Sequence, residues 1–334
     1  MKYEDLEQEY KKIFTNQVLP FIKQHIKEDF MSAPIYYLLE ELNINRFRSG
    51  LPIIIAREYG INENNMIPLA ALCELTFTTA MAQDDFYDDD GVREGIEATH
   101  IKFGIKETLL SCDYMNHEII ACVINILGTE IQPDILKRLV LIINKGMADA
   151  YSSVLMELES KKDIFSVKQE YLERLYLAKT AHGRILLECT FMIASLALNL
   201  DERFKIITAI KKYSECLAIA GQLKNDIYDF TKHKKYRGFS DLRQGYITYP
   251  LYLVIKDLIK KDHMQFLKLL NDQNYEALLT IFRKEKMMQK TLFLINSYVT
   301  EAMKLVKNNF PPAIEQLLNL WAEGNRHFSI APEI

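Results

Sequence analysis

Glycine and proline are scarce in this 334-residue chain, at 12 and 9 residues, about half their usual shares of roughly 7% and 5%. So little turn chemistry argues against many short strands and tight hairpins, and it points to long helices. The five cysteines, at 73, 112, 122, 189 and 216, are odd in number and show no C-x-x-C spacing. They exclude a disulfide framework or a thiolate zinc site and read as reduced, mostly buried small hydrophobes. Eighteen apolar residues never run together, so no membrane-spanning helix is expected. Basic side chains are not in excess: 41 stand against 45 acidic ones, for a net charge of −4. That leaves no electrostatic footprint for nucleic acid. The first twenty residues alternate charged with apolar positions, unlike a secretory signal, and a cytoplasmic location is expected.

Apolar residues recur at three- and four-residue spacing almost from end to end, with no linker, repeat or low-complexity tract. The expectation is an all-α chain, 1–334, forming a single large helical bundle. Helices are expected over roughly 3–29, 33–42, 50–60, 66–89, 97–103, 107–127, 132–159, 168–198, 201–231, 246–260, 264–271, 274–283, 286–308 and 312–323. Asn64 and Asn65 suit an N-cap, Pro133 a first helical position, and Pro311-Pro312 a break. β-branched alternation is almost absent, and its short exceptions build no sheet.

Two acidic constellations end charge-poor helices. Residues 84–90 read Asp-Asp-Phe-Tyr-Asp-Asp-Asp after a nearly uncharged lead-in, which marks the carrying helix as buried. Asp84 and Asp88 fall on one helical face, with Asp85 beside them. Like charges at that spacing repel, so their place at the end of a core helix needs a compensating cation. About 140 residues later an apolar run leads into Asn225-Asp226-Ile227-Tyr228-Asp229, with Asn225 and Asp229 sharing a face. Oxygen ligands without His or Cys favour a hard cation, and Mg²⁺ is usually held by one or two carboxylates plus substrate phosphates. The implied substrate carries a phosphate or diphosphate.

The motifs Asp84-Asp85-x-x-Asp88 and Asn225-Asp226-x-x-Asp229 resemble the two aspartate-rich motifs of the trans-isoprenyl diphosphate synthases, an all-helical family similar to class I terpene synthases. Further elements agree in order: Arg93 and Gly95, His100, Phe103-Gly104, Lys179-Thr180-Ala181, Gln222, Ser240 through Gly245, and Ile247-Thr248-Tyr249-Pro250-Leu251. The resemblance implies that the two acid clusters hold about three Mg²⁺ ions bridging the diphosphate of an allylic prenyl substrate. It also implies diphosphate contacts from Arg93, Lys179 and Gln222, with Lys235 or Arg237 standing in for a lysine that is Tyr246 here. Finally, it implies a bundle of the isoprenoid synthase type with a central apolar cavity, and a homodimer packed through residues near 107–127.

The sequence departs from the family where isopentenyl diphosphate would bind. An expected arginine is Leu51, with Arg46 as its possible substitute and Arg48 in place of a lysine; the second arginine of an Arg-Arg-Gly element is Glu94; a histidine is Phe77. A reversed charge at an anion site costs on the order of a few kcal/mol. The expectation drawn from these losses is ionisation of an allylic diphosphate followed by internal cyclisation or rearrangement. The alternatives are trans-prenyl transfer, either chain elongation or transfer to an acceptor such as a peptide, and a non-catalytic partner subunit. Thr76, Thr79 and Ala80 are small where short-chain family members place aromatics, which suggests a deep pocket for a prenyl chain of about C15 to C25. Phe77 and Phe86 are candidate cation-facing aromatics, and Thr180 a further pocket residue. His182, Glu157 and Glu159 are candidates for a terminal base, though core or solvated roles suit them better, and His233 falls on an expected loop.

Overall fold

The computed structural model describes residues 3–161, 164–230, 239–258 and 260–328. As expected, the described residues are all-α, but for one two-stranded hairpin that the sequence pattern did not signal. The helices up to the first acidic motif are α1 (Tyr3–Ile13), α2 (Leu19–His25), α3 (Ala33–Glu41), α4 (Phe47–Tyr59) and α5 (Ile67–Tyr87). The hairpin follows, β1 (Val92–Arg93) and β2 (Ile96–Glu97), then α6 (Thr99–Lys102), α7 (Ile105–Glu130), α8 (Pro133–Ser160), α9 (Gln169–Lys179), α10 (Ala181–Ala194) and α11 (Leu200–Tyr228). The second motif is followed by α12 (Ser240–Gln244), α13 (Tyr249–Ile255), α14 (Lys260–Asn271), α15 (Tyr275–Lys284), α16 (Met287–Val306) and α17 (Pro312–Gly324).

The chain divides into two compact units, Met1–Asn144 with Ile185–Ile207, and Lys145–Arg184 with Thr208–Ile334. In the first, α5 is the core element. Between Pro68 and Asp85 nearly every side chain is buried, and the helix packs against α4 and α7. Thr79 Oγ1 lies 2.9 Å from Asn116 Oδ1 across the α5–α7 contact. Arg46 is buried among these helices, donating to Glu74 Oε1 at 2.7 Å and to the last carbonyls of α3, Leu39 and Leu42, at 2.7 and 2.9 Å. A guanidinium capping a helix C-terminus satisfies carbonyls that have no helical partner.

The second unit is built around Phe230, Phe239, Leu251, Phe266, Leu278 and Phe282. Phe230 meets Phe282 edge-on at 5.5 Å, and Phe239 stacks on Tyr275 at 4.8 Å. Buried Tyr213 donates to Leu318 O at 2.6 Å, tying α11 to α17.

Several expected boundaries shift for local reasons. The first long helix contains a π segment, Phe14–Val18, and stops at His25. The expected helix over 168–198 breaks at Thr180, whose hydroxyl bonds Tyr176 O at 2.7 Å and competes with the backbone ladder. Asn64 and Asn65 do not cap α5: they lie in a short 3-10 turn held by Asn62, and Met66 occupies the cap without a side-chain bond. Pro133 and Pro312 do open their helices. Among the described residues α8 alone is long and apolar enough to cross a membrane by length and composition. Its middle carries Asp149 paired with Lys145 at 2.5 Å and with Arg184 at 3.3 Å, charges that are expensive in hydrocarbon.

Candidate active site

The first acidic motif is shaped by how α5 ends. Asp89 takes a left-handed conformation (φ 55°), Asp90 N–H bonds Asp85 O at 2.8 Å, and Asp89 N–H bonds Phe86 O at 3.3 Å. This pattern is a Schellman stop built on aspartate instead of the usual glycine. The chain then turns through the hairpin, whose two loop residues, Glu94 and Gly95, both have positive φ (48° and 90°). That is the geometry of a two-residue type I′ turn. Glu94 therefore sits exposed at the hairpin tip.

The hairpin returns Arg93 to the acids. Its Nε donates to Asp85 Oδ1 at 2.6 Å, a terminal nitrogen also pairs with Asp85, and Asp84 Oδ2 lies 3.7 Å away. This is the compensating cation that acids at the negative end of a buried helix require. Asp85 is fully buried, and its Oδ2 has no hydrogen-bond partner among the described residues. Burial raises its pKa and Arg93 opposes that rise. Asp84 is exposed and Asp88, at the helix C-cap, half-buried.

Accessibility along α5 is confined to one stripe. From Pro68 to Asp85 only Phe77, Ala80, Met81 and Asp84 escape full burial, at spacing i, i+3, i+4 and i+7. Phe77 and Ala80 thus lie in line with Asp84. Thr76 and Thr79 do not: Thr76 Oγ1 bonds Leu72 O at 2.8 Å, Thr79 faces α7, and both are buried. Phe86 packs edge-on against buried His100 at 6.0 Å.

The second motif, in the other unit, centres on Asp226, which is 2% exposed. Gln222 Nε2 donates to its Oδ1 at 2.9 Å, and the Tyr176 hydroxyl donates to its Oδ2. Burial, and then the nearby Asp241 charge, push the Asp226 carboxyl up to about 7. Asn225 is exposed and Asp229 half-buried beyond the end of α11, where Asp229 O accepts from Phe239 N–H at 2.5 Å.

Of the residues expected around a diphosphate, Arg93, Gln222 and Lys179 are all bonded to acids, Lys179 to Glu157 at 2.5 Å. Lys235, Arg237 and His233 lie outside the described residues. Tyr246 stands where a lysine was expected, and the Lys161 ammonium sits 3.7 Å over its ring, a cation that no motif spacing signalled. At the N-cap of α4, Arg46 is not available to replace the arginine lost at Leu51. It is 3% exposed and held by Glu74, whose second oxygen takes the Ser49 hydroxyl at 2.7 Å. Arg48 instead covers the face of Phe77, its guanidinium carbon 3.1 Å from the ring centroid. Burial lowers its pKa to about 10, which leaves it charged at neutral pH.

No group of three or more His, Cys, Asp or Glu side chains among the described residues makes a metal cage by itself. The donors nonetheless fit Mg²⁺, because they are all oxygen and one, Asp85 Oδ2, is a buried acceptor with no bond. A cation completed by substrate phosphates needs no full protein cage.

The fold is shared with solved all-helical prenyl synthases. A solved decaprenyl diphosphate synthase from Rhodobacter capsulatus aligns with it at a TM-score of 0.83, with 17% identity, over 97% of this chain and 98% of the other. A polyprenyl synthase from Caulobacter crescentus, solved with calcium and isoprenyl diphosphate, gives 0.80 at 18% identity over 97% of each chain. In sequence, a geranylgeranyl diphosphate synthase from Sulfolobus acidocaldarius is 27% identical over 321 residues, 90% of this chain and 88% of that protein. The chain belongs to the polyprenyl synthetase family, whose model matches residues 28–283. It is an enzyme of isoprenoid synthesis.

Proposed function

We propose that this protein is a Mg²⁺-dependent trans-prenyltransferase that elongates an allylic prenyl diphosphate with isopentenyl diphosphate, handling chains of about C15 to C25. The observation that carries the reading is the accessible stripe Phe77–Ala80–Met81–Asp84 on a helix otherwise buried, leading to Asp85 with its unfilled oxygen. Family membership and relatives that are themselves prenyl diphosphate synthases favour elongation over the cyclisation expected from the altered acceptor residues.

In this reading Asp84, Asp85 and Asp88, and Asn225, Asp226 and Asp229, hold the metal and diphosphate. Mg²⁺ held by these oxygens would supply the charge neutralisation that makes diphosphate a good leaving group. Arg93 opposes the rise that burial causes in the Asp85 pKa and aims the carboxylate, and Phe77, Ala80 and Met81 offer apolar surface to the prenyl tail and exclude water from it. Arg48 is the remaining guanidinium of α4 without an ion pair among the described residues, and it is assigned to the acceptor's charge. The homodimer through 107–127 belongs to the same reading, with Leu110 on α7 59% exposed.

The test is product analysis with purified protein, Mg²⁺ and geranyl, farnesyl or geranylgeranyl diphosphate, each with and without isopentenyl diphosphate. Longer prenyl diphosphates that form only with isopentenyl diphosphate support the proposal. Hydrocarbon released without it would replace elongation by cyclisation.

A further inference from the structure

Resting on that reading, we propose that Tyr176 is a positioning residue for catalysis: its hydroxyl fixes the Asp226 carboxylate in the orientation that receives the metal diphosphate. Three elements meet on this one oxygen. Tyr176 comes from α9, Asp226 from α11, and the Tyr249 N–H from the first turn of α13, 2.6 Å from the Tyr176 oxygen.

With Asp226 ionised, the direction of each bond is forced. A backbone N–H only donates, so the phenol oxygen accepts from Tyr249, and its single proton is left for the carboxylate. The Tyr249 amide is one of those a helix start leaves without an intrahelical partner, so the hydroxyl also satisfies that group. Gln222, one turn before Asp226 on the same face of α11, holds the other oxygen at 2.9 Å. Gripped at both oxygens, the carboxylate has no freedom about its terminal torsion, yet each oxygen keeps a lone pair.

Packing holds the phenol where it is. Tyr176 is 2% exposed and its ring lies 5.9 Å from that of Tyr249. A tyrosine serving only to fill volume would need no partner of this kind, and phenylalanine would fill the same space. Partners of metal-binding carboxylates that stand one shell behind them commonly change metal affinity 10- to 100-fold when removed.

The experiment uses Tyr176→Phe in the full chain, with Mn²⁺ binding followed by electron paramagnetic resonance in the presence of inorganic pyrophosphate. Affinity is expected to weaken by roughly tenfold. In turnover assays the Mg²⁺ concentration for half-maximal rate should rise by a similar factor, with KM for isopentenyl diphosphate unchanged. Unaltered metal dependence in both assays would overturn the proposal. Should phenylalanine at 176 not fold alone, the Asp226→Asn background keeps the question answerable, because no buried carboxylate is then stranded. There, adding Tyr176→Phe is expected to leave Mn²⁺ binding unchanged, and a further loss would overturn the proposal. Wild-type protein that binds Mn²⁺ with pyrophosphate but fails to elongate would sink the prenyltransferase reading alone, since the resonance measurement still decides the role of Tyr176.

Discussion

Arg93 reaches back from a two-residue turn to grip Asp85 Oδ1 at 2.6 Å, and leaves Asp85 Oδ2 buried without a hydrogen bond. One oxygen is neutralised by protein, and the other has no protein partner among the described residues. Removing the arginine strands a fully buried charge, while Arg93 itself is 26% exposed, so the cost sits below that of a wholly buried pair. Arg93→Met is expected to lower stability by about 2 kcal/mol in metal-free urea titrations. Mg²⁺ with pyrophosphate should recover part of the loss; an unchanged midpoint would contradict the role given to Arg93.

Arg46 and Glu74 form the opposite case, a pair whose partners are both spent. Glu74 is inaccessible and Arg46 bonds two carbonyls besides the carboxylate. Arg46→Met should destabilise the fold by roughly 3–5 kcal/mol. KM values of the protein that remains folded should stay near wild type, since this guanidinium is structural. A selective rise in isopentenyl diphosphate KM with intact stability would return Arg46 to the acceptor site.

Ala80 and Thr79 are neighbours in sequence with opposite surroundings. Ala80 lies on the accessible stripe, and Thr79 is packed against Asn116. Ala80→Phe is expected to fold at near wild-type stability and to shift products toward shorter chains, read by chromatography of the hydrolysed alcohols. Thr79→Phe should instead cost roughly 1–3 kcal/mol by overpacking. Equal product lengths from Ala80→Phe and wild type would remove Ala80 from the prenyl path.

The raised pKa of Asp226 gives a pH prediction for metal-free protein. Burial first, then Asp241, lift the folded-state value to about 7, above the unfolded value of about 3.9. The folded protein then holds the proton more tightly, so this group's contribution to stability falls as pH rises from about 4 to about 7. Asp226→Asn removes that dependence. Its melting temperature relative to wild type should climb across this window in EDTA; a gap independent of pH would show that Asp226 ionises freely.

The acids themselves were readable because they interrupt charge-poor helical runs: Asp84, Asp85, Asp226 and the helices that carry them follow from composition and a 3.6-residue period. What supports them was not. Arg93 reaches Asp85 only because Glu94 and Gly95 adopt left-handed conformations, and Tyr176 reaches Asp226 across fifty residues of sequence. Thr76 and Thr79 share the small size of Ala80, but helical phase turns them into packed interfaces. Arg46 looked free to bind an anion because nothing in the local sequence reveals that Glu74, twenty-eight residues on, is its partner.

The most direct measurement is incorporation of isotopically labelled isopentenyl diphosphate into acid-labile prenyl product, comparing wild type, wild type in EDTA, and Asp85→Asn. Label should enter product with wild type and Mg²⁺, vanish in EDTA, and fall by at least about a hundredfold in Asp85→Asn. Incorporation that survives chelation or the loss of the Asp85 charge would contradict the assignment of this site to metal-assisted prenyl transfer.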